Sequence, residues 1–151
     1  MAYTAFISYN TSPEEQVFVY RLQTLAAASD ITVLLPQRNG QRLTNETRLR
    51  IDRSNCVIAF LTSQLTPDTR EELAYAEAKG KLVIPIYEKD VVTPSAPETW
   101  ISYDPLTETP GVVEQKVLSF LKEKKRTEEN KQALILVGLG LGLLALILSN
   151  K

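Results

Sequence analysis

A carboxylate on a short helix is the first place where this chain could do chemistry. The stretch Asp68-Thr69-Arg70-Glu71-Glu72-Leu73-Ala74-Tyr75-Ala76-Glu77-Ala78-Lys79-Gly80-Lys81 reads as an amphipathic helix stopped by Gly80 and followed at once by the apolar run Leu82 to Tyr87. Gly just past the last turn, with Lys near the terminal carbonyls, is an ordinary way to end a helix. Glu72 stands beside the apolar positions Leu73 and Ala76. At the edge of a buried face it is either a working group or part of a solvated flank with Glu71 and Glu77. Composition narrows the choice. The 151 residues include no histidine, which excludes a Ser-His-Asp triad, a Cys-His pair, a histidine-ligated zinc site and a histidine general base. The single Cys56 precedes the apolar run Val57 to Leu61, so it reads as core packing. A lone cysteine makes no internal disulfide, in keeping with a reducing compartment. Carboxylates remain the best candidates for chemistry, and no metal site is expected.

The other candidates are found by asking which elements would bring polar groups to Glu72. Tyr3 to Tyr9 forms a first strand. Ser12 as cap, Pro13 at the first helical position and acidic residues behind it start a helix whose apolar face is Phe18, Leu22, Leu25 and Ala26. Ile31 to Leu35 is a second strand, and Pro36 to Arg42 a loop by its Pro and Asn-Gly signals. Thr44 or Asn45 caps a short helix through Ile51 and Arg53. Cys56 to Leu61 is a third strand, apolar on both faces as in a covered parallel sheet. The Glu72 helix, a fourth strand over Leu82 to Tyr87, a short strand near Trp100 to Tyr103 and a last helix over Val112 to Leu121 follow. In that last helix Val113, Val117, Phe120 and Leu121 face inward.

Strands alternating with helices predict an α/β fold, a flavodoxin-like three-layer sandwich with a central parallel sheet. Ligands in such sheets bind beyond the carboxyl ends of the strands. Ser8-Tyr9-Asn10, the Pro36–Arg42 loop, Thr62-Ser63 and the start of the Glu72 helix should therefore converge. Ser8, Tyr9, Arg38 and Asn39 are the residues expected to hold a ligand there, and hydroxyls, amides and an arginine suit a sugar phosphate. No GxGxxG or P-loop fingerprint follows any strand.

The C-terminal fifth is different in kind. Residues 122–132 make a charged stalk, and residues 133–149, from Ala133 to Ser149, are uncharged and almost wholly aliphatic. Such a run lies at the lower end of the roughly 17–25 residues that span a bilayer. The basic residues of the stalk lie on the domain side, which predicts a single-pass helix with residues 1–121 facing the cytoplasm and lipid as one partner. The competing reading is a buried or oligomer-forming apolar helix. Gly138 and Gly142 form a small-xxx-small pair that would permit close helix approach in a homo-oligomer. The opening Met1 to Tyr9 has no basic leader and is not expected to be a signal peptide. A net charge of −1, with no basic stripe, argues against a nucleic-acid partner.

Four pieces in order resemble one family. Ala5-Phe6-Ile7-Ser8-Tyr9 resembles the opening strand of Toll/interleukin-1 receptor (TIR) domains, and Pro36 to Leu43 stands where they carry the BB loop. Arg53 to Thr62 is similar to their third-strand segment, and Glu72-Leu73, Ala76 and Val83-Ile84-Pro85-Ile86 to their "EL..A…viPi" pattern. The resemblance covers residues 3–121. It implies that Glu72 cleaves the nicotinamide–ribose bond of NAD, which is substrate rather than cofactor, by hydrolysis or cyclisation. It also implies TIR–TIR assembly, with composite sites built from neighbouring BB loops, and a role in antiphage immune signalling or NAD depletion. Where catalytic members often carry a tryptophan, this chain has Asp68. After the second strand, Leu35-Pro36 replaces a common acidic residue. Two other readings stand beside it. One is a non-enzymatic TIR adaptor that signals by assembly. The other is a nucleoside 2-deoxyribosyltransferase-like enzyme, because residues 71–87 also resemble that family's catalytic segment.

Overall fold

Strand β1 (Tyr3–Ser8) keeps two different kinds of company. Successive strand residues point to opposite faces of a sheet. Tyr3, Ala5 and Ile7, with Tyr9 just beyond, join one core with Phe18, Val19 and Leu22, whereas Phe6 joins a second core with Ile51, Leu73 and Ala76. The computed structural model describes residues 3–9, 13–38, 43–61, 66–88, 101–104 and 106–129. In order these form β1, α1 (Pro13–Ala27), β2 (Ile31–Leu34), α2 (Asn45–Arg53), β3 (Cys56–Leu61), α3 (Pro67–Ala78), β4 (Leu82–Glu88), β5 (Ile101–Tyr103) and α4 (Pro110–Glu129). The sheet is parallel with order β2-β1-β3-β4-β5. Helices α1 and α4 cover the first core and α2 and α3 the second, which is the expected flavodoxin-like α/β sandwich. Strand order reverses between β1 and β3, where Ser8 pairs with Ala59 at the last rung.

Local sequence explains the elements that matter for the site. Thr66 caps α3, its side chain accepting from the Thr69 amide, and Pro67 occupies the first turn. Gly80, at φ 69°, ends it in the left-handed region. The Lys81 amide donates to the Ala76 carbonyl and the Gly80 amide to that of Glu77, both at 3.0 Å. That double bond pattern is the one a left-handed glycine makes possible. The helix is thus shorter than Asp68 to Lys81. The Lys81 side chain leaves its own helix and caps α2 instead, donating to the Asp52 and Ser54 carbonyls at 2.9 Å. α2 starts at Thr44, the first of the two expected caps.

The last helix is longer than the expected Val112 to Leu121. Nothing in its sequence breaks it, and α4 continues through the charged stalk to Glu129. Val113, Val117, Leu118 and Leu121 are buried and Phe120 is partly so. Among the described residues no helix is long and apolar enough to cross a membrane. The apolar run 133–149 and the Gly138/Gly142 pair lie outside those residues, as do Ser12, Asn39 and Thr62-Ser63.

Candidate functional site

Glu72 does not flank the buried face of α3; it belongs to it. Thr69, Glu72, Leu73 and Ala76 are the buried residues of the helix, spaced i, i+3, i+4, i+7 like any apolar stripe. The solvated-flank reading fails for this residue, because Glu72 is 0% exposed. A buried carboxylate needs partners, and two other elements supply them.

From β1 comes Ser8, which faces α3 by the same alternation that sends Phe6 there. Its hydroxyl donates to Glu72 Oε1 at 2.6 Å. From the connection after β2 comes Arg38, whose Nε donates to Oε2 at 3.0 Å and Nη2 to Oε1 at 2.8 Å. This two-pronged contact is the strongest geometry that an arginine and a carboxylate can adopt. The remaining prong, Nη1, donates to the Tyr9 carbonyl at 2.7 Å. The guanidinium carbon also lies 5.7 Å from the centre of the Tyr9 ring, within cation–π range. Tyr9 itself points to the α1 side, where its hydroxyl bonds Tyr20, and burial raises its pKa above the usual phenol value.

Arg38 is held from behind. The preceding Gln37 donates its amide to Thr47 Oγ1 at 3.0 Å and accepts from Thr44 Oγ1 at 2.8 Å through its carbonyl. Both threonines are buried at the start of α2. Arg50 adds a bond from Nη1 to the Leu35 carbonyl at 2.7 Å. Sequence reasoning took Thr44 for a helix cap only and passed over Thr47 and Gln37. The signal available was a Thr-x-x-Thr at a helix start, close behind the loop that carries the candidate arginine.

Charge in this cluster is finely opposed. Burial pushes the Glu72 carboxyl above the ordinary glutamate range; the bonds and charge of Arg38, then the Ser8 bond, pull it back, and Asp68, one turn earlier, pushes it up slightly. The net direction is upward. Of the expected site residues, Glu72, Ser8, Tyr9 and Arg38 come together at the carboxyl end of β1, and Asn39 lies outside the described residues. Among the described residues no cluster of three metal-ligating side chains occurs. A broad open depression bordered by Ile101, Ser102, Gln115 and Lys116 lies between β5 and α4 and includes none of the cluster. A buried carboxylate fixed by a hydroxyl and a guanidinium, beside strand ends rich in amides, can stabilise positive charge or grip sugar hydroxyls.

A family model described as TIR domain matches residues 5–116. Among solved structures, the CMP N-glycosidase BcmB of Clostridium botulinum is similar with a TM-score of 0.57 at 17% sequence identity, over 76% of this chain and 97% of that one. At that identity the likeness is one of fold. No curated protein matches the chain.

Proposed function

The chain belongs to the TIR domain family, and from that premise we propose that it is an N-glycosidase that splits NAD at the nicotinamide–ribose bond. The observation that carries the reading is Glu72: a carboxylate fully buried at the switch in strand order, with both oxygens fixed by Arg38 and Ser8. Breaking the bond builds positive charge on the ribose C1′. A preorganised carboxylate stabilises that charge as it forms, or holds the ribose hydroxyls while water or an intramolecular nucleophile attacks. Nicotinamide is already cationic in NAD and departs neutral, so a general acid is not required. A chain without histidine can therefore run this reaction. Hydrolysis and cyclisation share the same bond cleavage, and either would serve immune signalling or NAD depletion. The apolar run 133–149 supports attachment to a membrane, with the domain on the cytoplasmic side.

One observation favours a second substrate. Asp68 stands one helical turn before Glu72 and acts on its charge, where catalytic members of the family often carry tryptophan. A pyrimidine base leaves poorly unless it is protonated, and an acidic side chain in place of an indole is the kind of group such a step would use. The fold likeness to a CMP N-glycosidase is consistent with such a nucleotide. The experiment sets the two side by side: purified protein, with and without residues 133–151, is given NAD or CMP and the freed base is separated and measured. Nicotinamide release that disappears in Glu72→Ala supports the NAD reading. Cytosine release without nicotinamide release moves the substrate to a pyrimidine nucleotide. No base release in any state, including detergent-reconstituted assemblies, replaces the enzyme with a scaffold that signals by TIR–TIR contact.

A further inference from the structure

The arrangement that makes Glu72 interesting also makes it unreachable. Its side chain is 0% exposed and that of Arg38 is 13% exposed. Both carboxylate oxygens are occupied, Oε1 by Ser8 and Arg38 Nη2, and Oε2 by Arg38 Nε. Neither C1′ of a sugar nor its hydroxyls can meet the carboxylate until the arginine fork lets go. The backbone behind Arg38 is tied to Thr44 and Thr47, so the movement required is one of the side chain. Its Nη1 bond to the Tyr9 carbonyl and its place over the Tyr9 ring provide a pivot. The Nε and Nη2 edge can turn away from Glu72 while the guanidinium stays at the site.

Separating the pair leaves two poorly solvated charges that each need a new partner. The ribose of a glycosidic substrate brings hydroxyls that donate to Glu72 on binding, and the positive charge that develops at C1′ as the bond breaks is stabilised by the same carboxylate. Only a substrate that also brings an anion satisfies Arg38, and a phosphate presents the same forked acceptor geometry as a carboxylate. In a nucleoside 5′-phosphate the two features sit on one sugar, a few bonds apart. Resting on the reading of Glu72 as the group that meets the sugar, we propose that Arg38 is a charge gate opened by substrate phosphate. The site accepts 5′-phosphorylated nucleosides, mononucleotide or dinucleotide, and discriminates against the same nucleosides without phosphate. Arg38 is thus a specificity-determining residue: it exchanges the Glu72 carboxylate for the phosphate, and no covalent bond changes in the exchange.

Equilibrium binding of adenosine 5′-monophosphate and of adenosine, measured by titration calorimetry on the full chain, tests the gate without relying on turnover. Wild-type protein should prefer the monophosphate by about 10- to 100-fold, the range for hydrogen bonds to a charged group. In Arg38→Met the preference should fall to near unity, with adenosine binding no worse because Glu72 is no longer covered. Arg38→Lys, which keeps the charge and loses the fork, should retain part of the preference. Equal wild-type affinity for the two ligands, a comparison that needs no variant, overturns the gate. So does a preference that survives in Arg38→Met. Its failure is distinguishable from failure of the glycosidase reading. An Arg38-dependent phosphate preference with no base release from any nucleotide keeps the gate as a recognition device and removes the cleavage. Equal cleavage of nicotinamide riboside and its mononucleotide removes the gate and keeps the cleavage.

Discussion

Glu72 and Glu114 are buried in helices on opposite sides of the same sheet, and they are treated quite differently. Glu72 on α3 is 0% exposed, with Ser8 and the Arg38 fork meeting both of its oxygens. Glu114 on α4 is 2% exposed and has Arg21 beside it, 3.2 Å away on an arginine that is itself 60% exposed. That ion pair makes no hydrogen bond at Oε2, and among the described residues nothing else does. Both glutamates stand in an i, i+3, i+4, i+7 stripe: Glu72 with Thr69, Leu73 and Ala76, Glu114 with Val117, Leu118 and Leu121. Burial and spacing are shared, so neither marks a site. What differs is that β1 and the connection after β2 both send a hydrogen-bonding side chain to Glu72, and one partly exposed side chain lies beside Glu114.

The comparison can be broken by stability first. Glu72→Leu leaves Arg38 largely buried without its partner and should cost about 3 kcal/mol in denaturant unfolding. Glu114→Leu removes a carboxylate with an unbonded oxygen and frees Arg21 to water, so it should be neutral or stabilising. Equal losses would show that the two sites are alike after all. A smaller effect probes the support behind Arg38. Thr47→Val takes the acceptor from the Gln37 amide and should cost about 1–2 kcal/mol in the same experiment, with base release reduced as Arg38 loses its footing. Gly80→Ala is smaller again. Nothing lies within 4 Å of an added methyl group, so only the backbone strain at φ 69° remains, about 1 kcal/mol in unfolding free energy.

Acidity sharpens the contrast further. Burial raises the Glu72 carboxyl and Arg38 opposes that rise. The ionised form is the one that stabilises C1′, so activity should be present above the folded-state pKa and lost as pH falls through it. The acid limb of kcat/KM for base release should therefore lie above the ordinary glutamate range. In Arg38→Met it should move to still higher pH, because the cation that favours the ionised form is gone. A limb that stays in place or moves down would show that Glu72 is not the titrating group.

Much of the frame was readable from residues in order. The run Cys56 to Leu61 gave a strand covered on both faces, Gly80 a helix end, Pro13 a helix start, and the strand–helix alternation the parallel sheet. The absence of histidine pointed to a carboxylate before any fold was considered. In sequence Glu72 reads as the edge of the buried face; the spacing of Thr69, Glu72, Leu73 and Ala76 puts it within that face, but Glu114 has the same spacing and the pattern alone cannot separate them. The contact between Arg38 and Glu72, 34 positions apart, depends on where a loop places a long flexible side chain. That placement is set by Thr44 and Thr47 through Gln37, a relation between loop backbone and helix start that periodicity does not encode. The extension of α4 to Glu129 was hidden for a simpler reason: charged residues fit a solvated helix as well as a linker.

The central claim is that Glu72 is the group that meets the scissile sugar, and that Glu114 is buried without such a role. The most direct measurement is kcat/KM for nicotinamide release from NAD by the wild type, Glu72→Gln and Glu114→Gln, each checked for folding by circular dichroism. Loss of a preorganised group that stabilises transition-state charge lowers rates about 10²- to 10³-fold or more. The prediction is a fall of at least that size for Glu72→Gln and no more than about twofold change for Glu114→Gln, within the spread of a surface substitution. A folded Glu72→Gln protein that releases nicotinamide at the wild-type rate would contradict the account.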